Sequence, residues 1–216
     1  MASRARTDEA ASIAASEYEW SEAGEAQAHR YLLPPTLAWL AASGARSVLD
    51  LGCGNGAVTA LLAGMGYAAQ GCDASASGID IARQAAPGIN FFQHDLGNPL
   101  PPEHTGCYDA VVSLEVIEHL LLPRILLNNA WQALRPGGKL ILSTPYHGYW
   151  KNIALAVTNK FDDHWHPLRD FGHIKFFSRR TLHTLVEETG FHVLESRRVG
   201  RIPALACSLL LLAEKK

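Results

Sequence analysis

A short apolar run, Ser47-Val48-Leu49-Asp50-Leu51, opens into three glycines at alternate positions, Gly52, Gly54 and Gly56, and then into a helical pattern from Ala57 to Met65. A compact apolar run reads as a strand covered on both faces. Glycines directly after it permit a tight turn and let a ligand come close to the backbone. The strand-then-helix pattern recurs. Tyr67–Asp73 is a second strand, followed by a helix that Ser75 or Ser77 can cap and that ends before Pro87. Ile89–Gln93 is a third strand and Tyr108–Leu114 a fourth, followed by a helix from Pro123 to Leu134. Arg135–Gly138 is a turn, and Lys139–Ser143 is a fifth strand. A helix capped by Ser178 runs to Thr189. Two strands, His192–Val199 and Leu205–Leu212, then follow with no helix between them, which predicts an antiparallel hairpin at the sheet edge. This order implies an α/β fold: a doubly wound, mostly parallel seven-stranded sheet with an antiparallel last strand.

Two stretches stand outside the alternation. Residues 1–46 form an N-terminal helical segment in which Tyr31, Leu32, Leu33, Leu37, Trp39 and Leu40 supply an apolar face across a break at Pro34-Pro35. The domain proper spans 47–216, with an insert after the fifth strand at 145–177 that is rich in His, Trp, Tyr and Phe. It leaves a strand's carboxyl end, where open α/β sheets bind ligands, so it reads as a lid or substrate-binding insert.

Composition narrows the class further. The chain has 216 residues, 48% of them hydrophobic and 19% charged, enough apolar mass for one sizeable core. No run approaches the roughly 18 to 20 apolar residues that span a bilayer. The basic start is followed by Thr7-Asp8-Glu9 rather than an apolar stretch, so a cytoplasmic protein with no signal peptide is expected. The four cysteines are scattered and read as reduced. The net charge of −2 argues against a phosphate-backbone binder. Acidic residues outnumber basic ones over 1–144, and basic outnumber acidic over 145–216.

Carboxylates gather where the strands end. Asp50 comes just before the glycines, where it could meet a cation or ordered water. Asp73 closes the second strand, placed to accept both hydroxyls of a ribose, and Asp95 closes the third, placed to accept an amine proton from an adenine-like ring. After the fourth strand comes Glu115-Val116-Ile117-Glu118-His119. On a helical turn Glu115 shares a face with Glu118 or His119. Two carboxylates and an imidazole suit a divalent metal, the carboxylates favouring Mg²⁺ and the imidazole admitting Zn²⁺. The same residues suit a metal-free site with a histidine base. His147, His164, His166 and His173 all fall in the insert.

Taken together, the glycine loop with Asp50, the Gly71-Cys72-Asp73 and His94-Asp95 pairs, and Leu134-Arg135-Pro136-Gly137-Gly138-Lys139-Leu140 resemble class I S-adenosylmethionine-dependent methyltransferases. The resemblance implies a Rossmann-like sheet and a cofactor held by Asp50, Gly52, Cys53, Gly54, Gly56, Asp73, Ala74, Asp95, Leu96 and Leu114. The glycines would flank its methionine part, Asp73 its ribose, and Asp95 with Leu96 its adenine. Trp20, Gly24, His29-Arg30, the Glu115–His119 turn and an insert ending in Gly172-His173 with Lys175-Phe176 are similar to the ubiquinone-biosynthesis O-methyltransferase family. That similarity implies methylation of a small-molecule hydroxyl, such as the phenol or catechol of a quinone precursor. It also implies Glu115, Glu118, His119 and His173 as metal ligands, and Glu118, His119 and His173 as catalytic groups. Methylation of a sugar hydroxyl or an RNA 2′-hydroxyl is the alternative, and a non-catalytic cofactor-binding domain is a further one. The expected partner is a small-molecule substrate, with no nucleic acid. The aromatic stretch 149–160, beside Lys151 and Lys160, reads either as part of the lid or as a peripheral membrane contact.

Overall fold

The structure is a computed structural model and describes residues 28–162, 168, 172–200 and 205–216. Helix α1 (His29–Ser43) leads into β1 (Ser47–Leu51), α2 (Ala57–Gly64), β2 (Ala68–Asp73), α3 (Ala76–Ala85), β3 (Asn90–Gln93), β4 (Tyr108–Ser113), α4 (Pro123–Ala133) and β5 (Leu134–Pro145). Helix α5 (Tyr149–Val157), α6 (Arg179–Glu188), β6 (Phe191–Val199) and β7 (Ser208–Lys215) complete the chain. One-turn 3₁₀ helices at Pro102–His104 and Ile117–His119 flank β4.

The seven strands form one sheet in the order β3-β2-β1-β4-β5-β7-β6. Strands β1 to β5 are parallel, and β7 runs antiparallel to both β5 and β6. This is the doubly wound sheet that the alternation predicts. One sheet face is covered by α1 and α2 through Leu32, Trp39, Leu40, Val58 and Leu62. The other is covered by α4 and α6 through Leu126, Leu127, Leu182 and Val186. The central strands β1 and β4 are buried on both faces, which is why Val48, Leu49, Val111 and Val112 read as unbroken apolar runs. The four cysteines are free thiols.

The structure changes several expected boundaries. Helix α1 runs unbroken through Pro34 and Pro35. Neither proline can donate to the carbonyl four residues back. Burial of Leu32, Leu33, Trp39 and Leu40 against the sheet holds the helix together across the lost bonds. The expected turn at Arg135–Gly138 belongs to β5, which begins at Leu134: the register jumps from Tyr108↔Leu134 to Ala110↔Lys139, and Gly137 takes a φ of 76°. The last strand starts at Ser208, later than expected, after Cys207 N–H donates to the Val199 carbonyl. It lies between β5 and β6, so of the last two strands β6 is the one at the sheet edge, opposite β3 at the other edge. Residues 1–27 of the expected N-terminal segment, and His164 and His166 of the insert, lie outside the described residues.

Candidate active site

The carboxyl ends of β1, β2 and β4 converge on one rim of the sheet, and the glycine turn curls over it. Gly52 N–H and Cys53 N–H both donate to the Cys72 carbonyl, at 2.8 and 2.9 Å, which ties the turn to β2. Gly52 has a φ of +83°, and a Cβ there would stand 2.5 Å from Val116 Cγ2. Gly56 has a φ of +77°, and its Cβ would meet Ala82 Cβ at 2.6 Å and the Phe91 ring at 2.9 Å. Backbone conformation and close packing therefore both demand glycine. Asn55, 5% exposed, turns its Oδ1 to Ala57 N–H at the start of α2.

Asp73 accepts Gly54 N–H on Oδ2 at 2.8 Å and Ser75 N–H on Oδ1 at 2.9 Å, so its carboxylate is oriented by the turn it faces. Each oxygen keeps a second lone pair for a ligand hydroxyl. Burial raises its pKa against the lowering effect of those backbone donors. Ser75 caps α3 by accepting Gly78 N–H, and Ala74 joins the rim through its carbonyl, which accepts Gln93 Nε2. Asp50 is not open at the mouth. It is 3% exposed, accepts the Thr59 hydroxyl at 2.7 Å, and is pushed up to about 7 by burial, with Asp73 adding repulsion. Cys53 is buried alongside, its thiol raised by the same burial.

Asp95 does not end a strand. Strand β3 stops at Gln93, and Asp95 closes its own turn by accepting Gly97 N–H at 2.8 Å and Asn98 Nδ2 at 3.1 Å. Leu96 and Leu114 are buried, at 4% and 7% exposure, Leu96 in the core beneath α4 and Leu114 in the core beneath α1 and α2.

The turn after β4 differs from the expected helical face. Glu115 has a φ of 57°, so the 3₁₀ turn begins only at Ile117 and Glu115 does not share a face with Glu118. Glu115 N–H donates to Ser143 Oγ at 2.9 Å, and Ser143 Oγ donates to Glu115 Oε1 at 2.8 Å. Burial raises Glu115 to about 7, while Ser143, Ser208 and the Lys151 charge pull it back. Lys151 is 8% exposed on α5 and reaches the Cys207 carbonyl at 3.4 Å.

Glu118 is fully buried, and among the described residues neither carboxylate oxygen has a hydrogen-bond partner. Burial first, and the Glu115 charge second, hold its pKa well above the carboxylate range. Its backbone carbonyl accepts Ile174 N–H and Lys175 N–H, both at 3.0 Å, which brings the end of the insert to the site. His173 Nε2 lies 4.0 Å from Glu118 Oε1. The His119 and His173 rings meet edge to face, 4.8 Å between centroids. Possible ligand atoms of Glu118, His119 and His173 all lie within 4.8 Å of one another, and Glu115 is not part of this group. His147 is buried too but packs edge-on against Phe176 rather than joining them.

The structure thus brings together four groups that the sequence analysis did not single out as site residues: Thr59 under the glycine turn, Ser143 and Ser208 around Glu115, and Tyr31. The Tyr31 hydroxyl hydrogen-bonds Ser208 and feels the Glu115 charge. Tyr31 sits in the apolar pattern of α1, so its polar end gave no signal in sequence.

The profile of the methyltransferase-domain family matches residues 24–196. A ubiquinone biosynthesis O-methyltransferase of Burkholderia ambifaria is 23% identical over 85% of this chain and 82% of its own length. A ubiquinone biosynthesis O-methyltransferase of Cronobacter sakazakii is 30% identical over 58% of this chain and 54% of its own length. The structure of magnesium protoporphyrin IX methyltransferase from Synechocystis PCC 6803 with bound SAH superposes with a TM-score of 0.67 at 20% identity, covering 91% of this chain and 90% of that one. The match spans the glycine turn, Asp73 and the turn after β4, and the chain belongs to the methyltransferase-domain family.

Proposed function

We propose that the protein transfers the methyl group of S-adenosylmethionine to a hydroxyl of a small phenol or catechol, such as a quinone precursor. The single observation that carries this reading is the pairing of two arrangements on one rim of the sheet. One is the glycine turn, with the Asp73 carboxylate oriented by Gly54 and Ser75. The other is the Glu118–His119–His173 group at the end of β4. The first suits a nucleoside ribose, and the second suits an acidic hydroxyl. The ubiquinone biosynthesis O-methyltransferases among the relatives support the same acceptor class.

A sulfonium methyl is already activated, so the protein's work is alignment and removal of a proton. Asp73 would hold the ribose, Leu96 would wall the adenine side, and Leu114 would line the cofactor where β4 ends. Asp95, spent on its own turn, contributes by shaping that wall. His119 and His173 are the groups placed to take the acceptor's proton.

The residues present also fit a divalent cation. A buried carboxylate with both oxygens unpartnered, beside two imidazoles, is costly to keep empty and suited to a metal. Two nitrogen donors and one oxygen favour Zn²⁺ or a similar transition ion over Mg²⁺. Glu118, His119 and His173 would hold it, and a bound cation would lower the pKa of an acceptor hydroxyl. Glu115, turned to Ser143, is left out of the set.

Helix α5 turns Lys151 inward and leaves Tyr149, Trp150 and Val157 exposed at 70%, 65% and 80%. We read it as the lid over the acceptor. Co-sedimentation with anionic liposomes tests the membrane alternative: a lid stays in the supernatant. Among the described residues no helix is long and apolar enough to cross a membrane.

Isothermal titration of S-adenosylhomocysteine, followed by methyl transfer to catechol, tests the main reading. Binding that Asp73→Ala weakens by about tenfold or more, with turnover on catechol, supports it. Absence of cofactor binding, or equal binding by Asp73→Ala, overturns it.

A further inference from the structure

The free edge of the sheet carries positive charge that neither the core nor the cofactor cradle uses. A cavity of about 520 Å³ opens where β6 and β7 run out, walled by Tyr31 and Pro35 of α1, Arg179 of α6, Arg197 and Arg198 of β6, and Leu209 of β7. Successive strand residues point to opposite faces. Arg197 accordingly lies over the Trp39 ring, 5.0 Å from its centroid, and Arg198 over the Tyr146 ring at 5.9 Å. Both arginines line the cavity, with their side chains on opposite faces of the sheet edge.

Their electrostatics are unbalanced. Arg197 is paired with Glu195, but among the described residues neither Arg179 nor Arg198 forms an ion pair. Arg179 is the first residue of α6, whose first turn holds no acidic side chain. A cation there adds to the positive end of the helix dipole instead of offsetting it. The Ser196 hydroxyl, in the same wall, is buried and has no hydrogen-bond partner among the described residues. As the outermost strand, β6 also leaves one row of backbone N–H groups unpaired. Several donors and like charges around one cavity repel one another unless an anion lies between them, and planar guanidinium groups match carboxylate and phosphate oxygens.

The cavity adjoins the reaction centre through one residue. The Tyr31 ring lines it, while the Tyr31 hydroxyl hydrogen-bonds Ser208 within the field of Glu115.

We propose that this cavity is an anion subsite for the methyl acceptor, taking a carboxylate or phosphate carried by the molecule whose hydroxyl is methylated at the ends of β4 and β5. The assignment rests on the reading of the protein as a methyltransferase of small hydroxyl compounds. It defines the acceptor further: an anionic hydroxyl compound, distinguished from a neutral one by Arg179 and Arg198.

The experiment has two arms, each run on the wild type and on the Arg179→Ala/Arg198→Ala variant. Both arginines are exposed, and an unchanged S-adenosylhomocysteine affinity verifies that the variant is folded. In the first arm, inorganic phosphate is titrated calorimetrically into the protein saturated with S-adenosylhomocysteine. Binding on the order of 1 mM in the wild type, weakened about tenfold or more in the variant, is expected. No binding by the wild type, or equal binding by both, overturns the subsite. In the second arm, methyl transfer to 3,4-dihydroxybenzoate is compared with transfer to catechol. A KM about tenfold lower for the carboxylated acceptor in the wild type only is expected. Added phosphate should raise that KM and leave kcat unchanged. A change in kcat with KM unaltered would mean that a free anion acts there, and would overturn the acceptor assignment. Failure of the function reading itself shows separately, as absence of cofactor binding and of transfer to both acceptors, while the phosphate titration repeated without S-adenosylhomocysteine still reports on the cavity.

Discussion

Glu115 and Ser143 exchange two hydrogen bonds across the ends of neighbouring strands: the Glu115 amide donates to the Ser143 hydroxyl, which in turn donates to the Glu115 carboxylate. The exchange holds Glu115 at a positive φ, a conformation that non-glycine residues adopt only when their surroundings compensate for it. It also leaves the first carboxylate of the Glu115–His119 motif outside the Glu118–His119–His173 group, though near enough for its charge to raise the Glu118 pKa.

Removing the hydroxyl tests this link. Ser143→Ala leaves the part-buried Glu115 amide without its partner and its carboxylate with Ser208 alone, and should lower unfolding free energy by about 1–3 kcal/mol. Glu115→Gln keeps the accepting oxygen and should cost less than Ser143→Ala in the same denaturant titration. If Glu115 is a ligand instead, Glu115→Gln would abolish metal binding with little loss of stability.

A buried carboxylate without a hydrogen-bond partner gives Glu118 a different signature. Zn²⁺ should raise the melting temperature of the wild type. Glu118→Gln and His173→Ala should each weaken Zn²⁺ binding by about tenfold or more while S-adenosylhomocysteine affinity is retained. Calorimetry with each ligand separates the two effects, and unaltered Zn²⁺ affinity in both variants would remove the metal reading.

Gly52→Ala should destabilise the cradle twice over, through a φ of +83° and through a Cβ 2.5 Å from Val116 Cγ2. The backbone part is of order 1–3 kcal/mol. Val116→Ala in the same chain relieves the steric part only. A double variant that melts above Gly52→Ala, yet below Val116→Ala alone, is the expected result.

Asp50 makes stability depend on pH. Its pKa in the folded protein, about 7, lies above its ordinary value of 3.8, so the folded state holds a proton that the unfolded chain has released. The contribution is fully present below about pH 3.8 and is lost as pH rises through 7, amounting to about 4 kcal/mol at most. Asp50→Asn should remove this component, flattening the fall in unfolding free energy between pH 4 and 8 in the cofactor-free protein. A wild-type slope that survives the substitution would show that other groups carry it.

Much of the cradle was legible in the chain because its parts are local. Glycines within a few residues of a strand end, and an aspartate at the end of the next strand, are fixed relative to one another by strand register and turn geometry. The end of the third strand at Gln93 is legible, but Asp95 lies two residues past it and turns its carboxylate to Gly97 and Asn98, a local turn that the strand pattern does not show. Pro34 and Pro35 misled for a different reason: a local signal to stop was outweighed by the burial of α1 on the sheet.

By itself the sequence determined the alternation of strand and helix, the sheet it builds, and the glycine turn, because each depends on periodicity and backbone freedom over short spans. Tertiary structure alone decided which side chains meet. The direction of Glu115 depends on Ser143, that of Tyr31 on Ser208, and the approach of His173 to Glu118 on two amides of the insert binding one carbonyl. These partners are far apart in the chain, and their encounter is set by how the strands are ordered and packed, which no local pattern records.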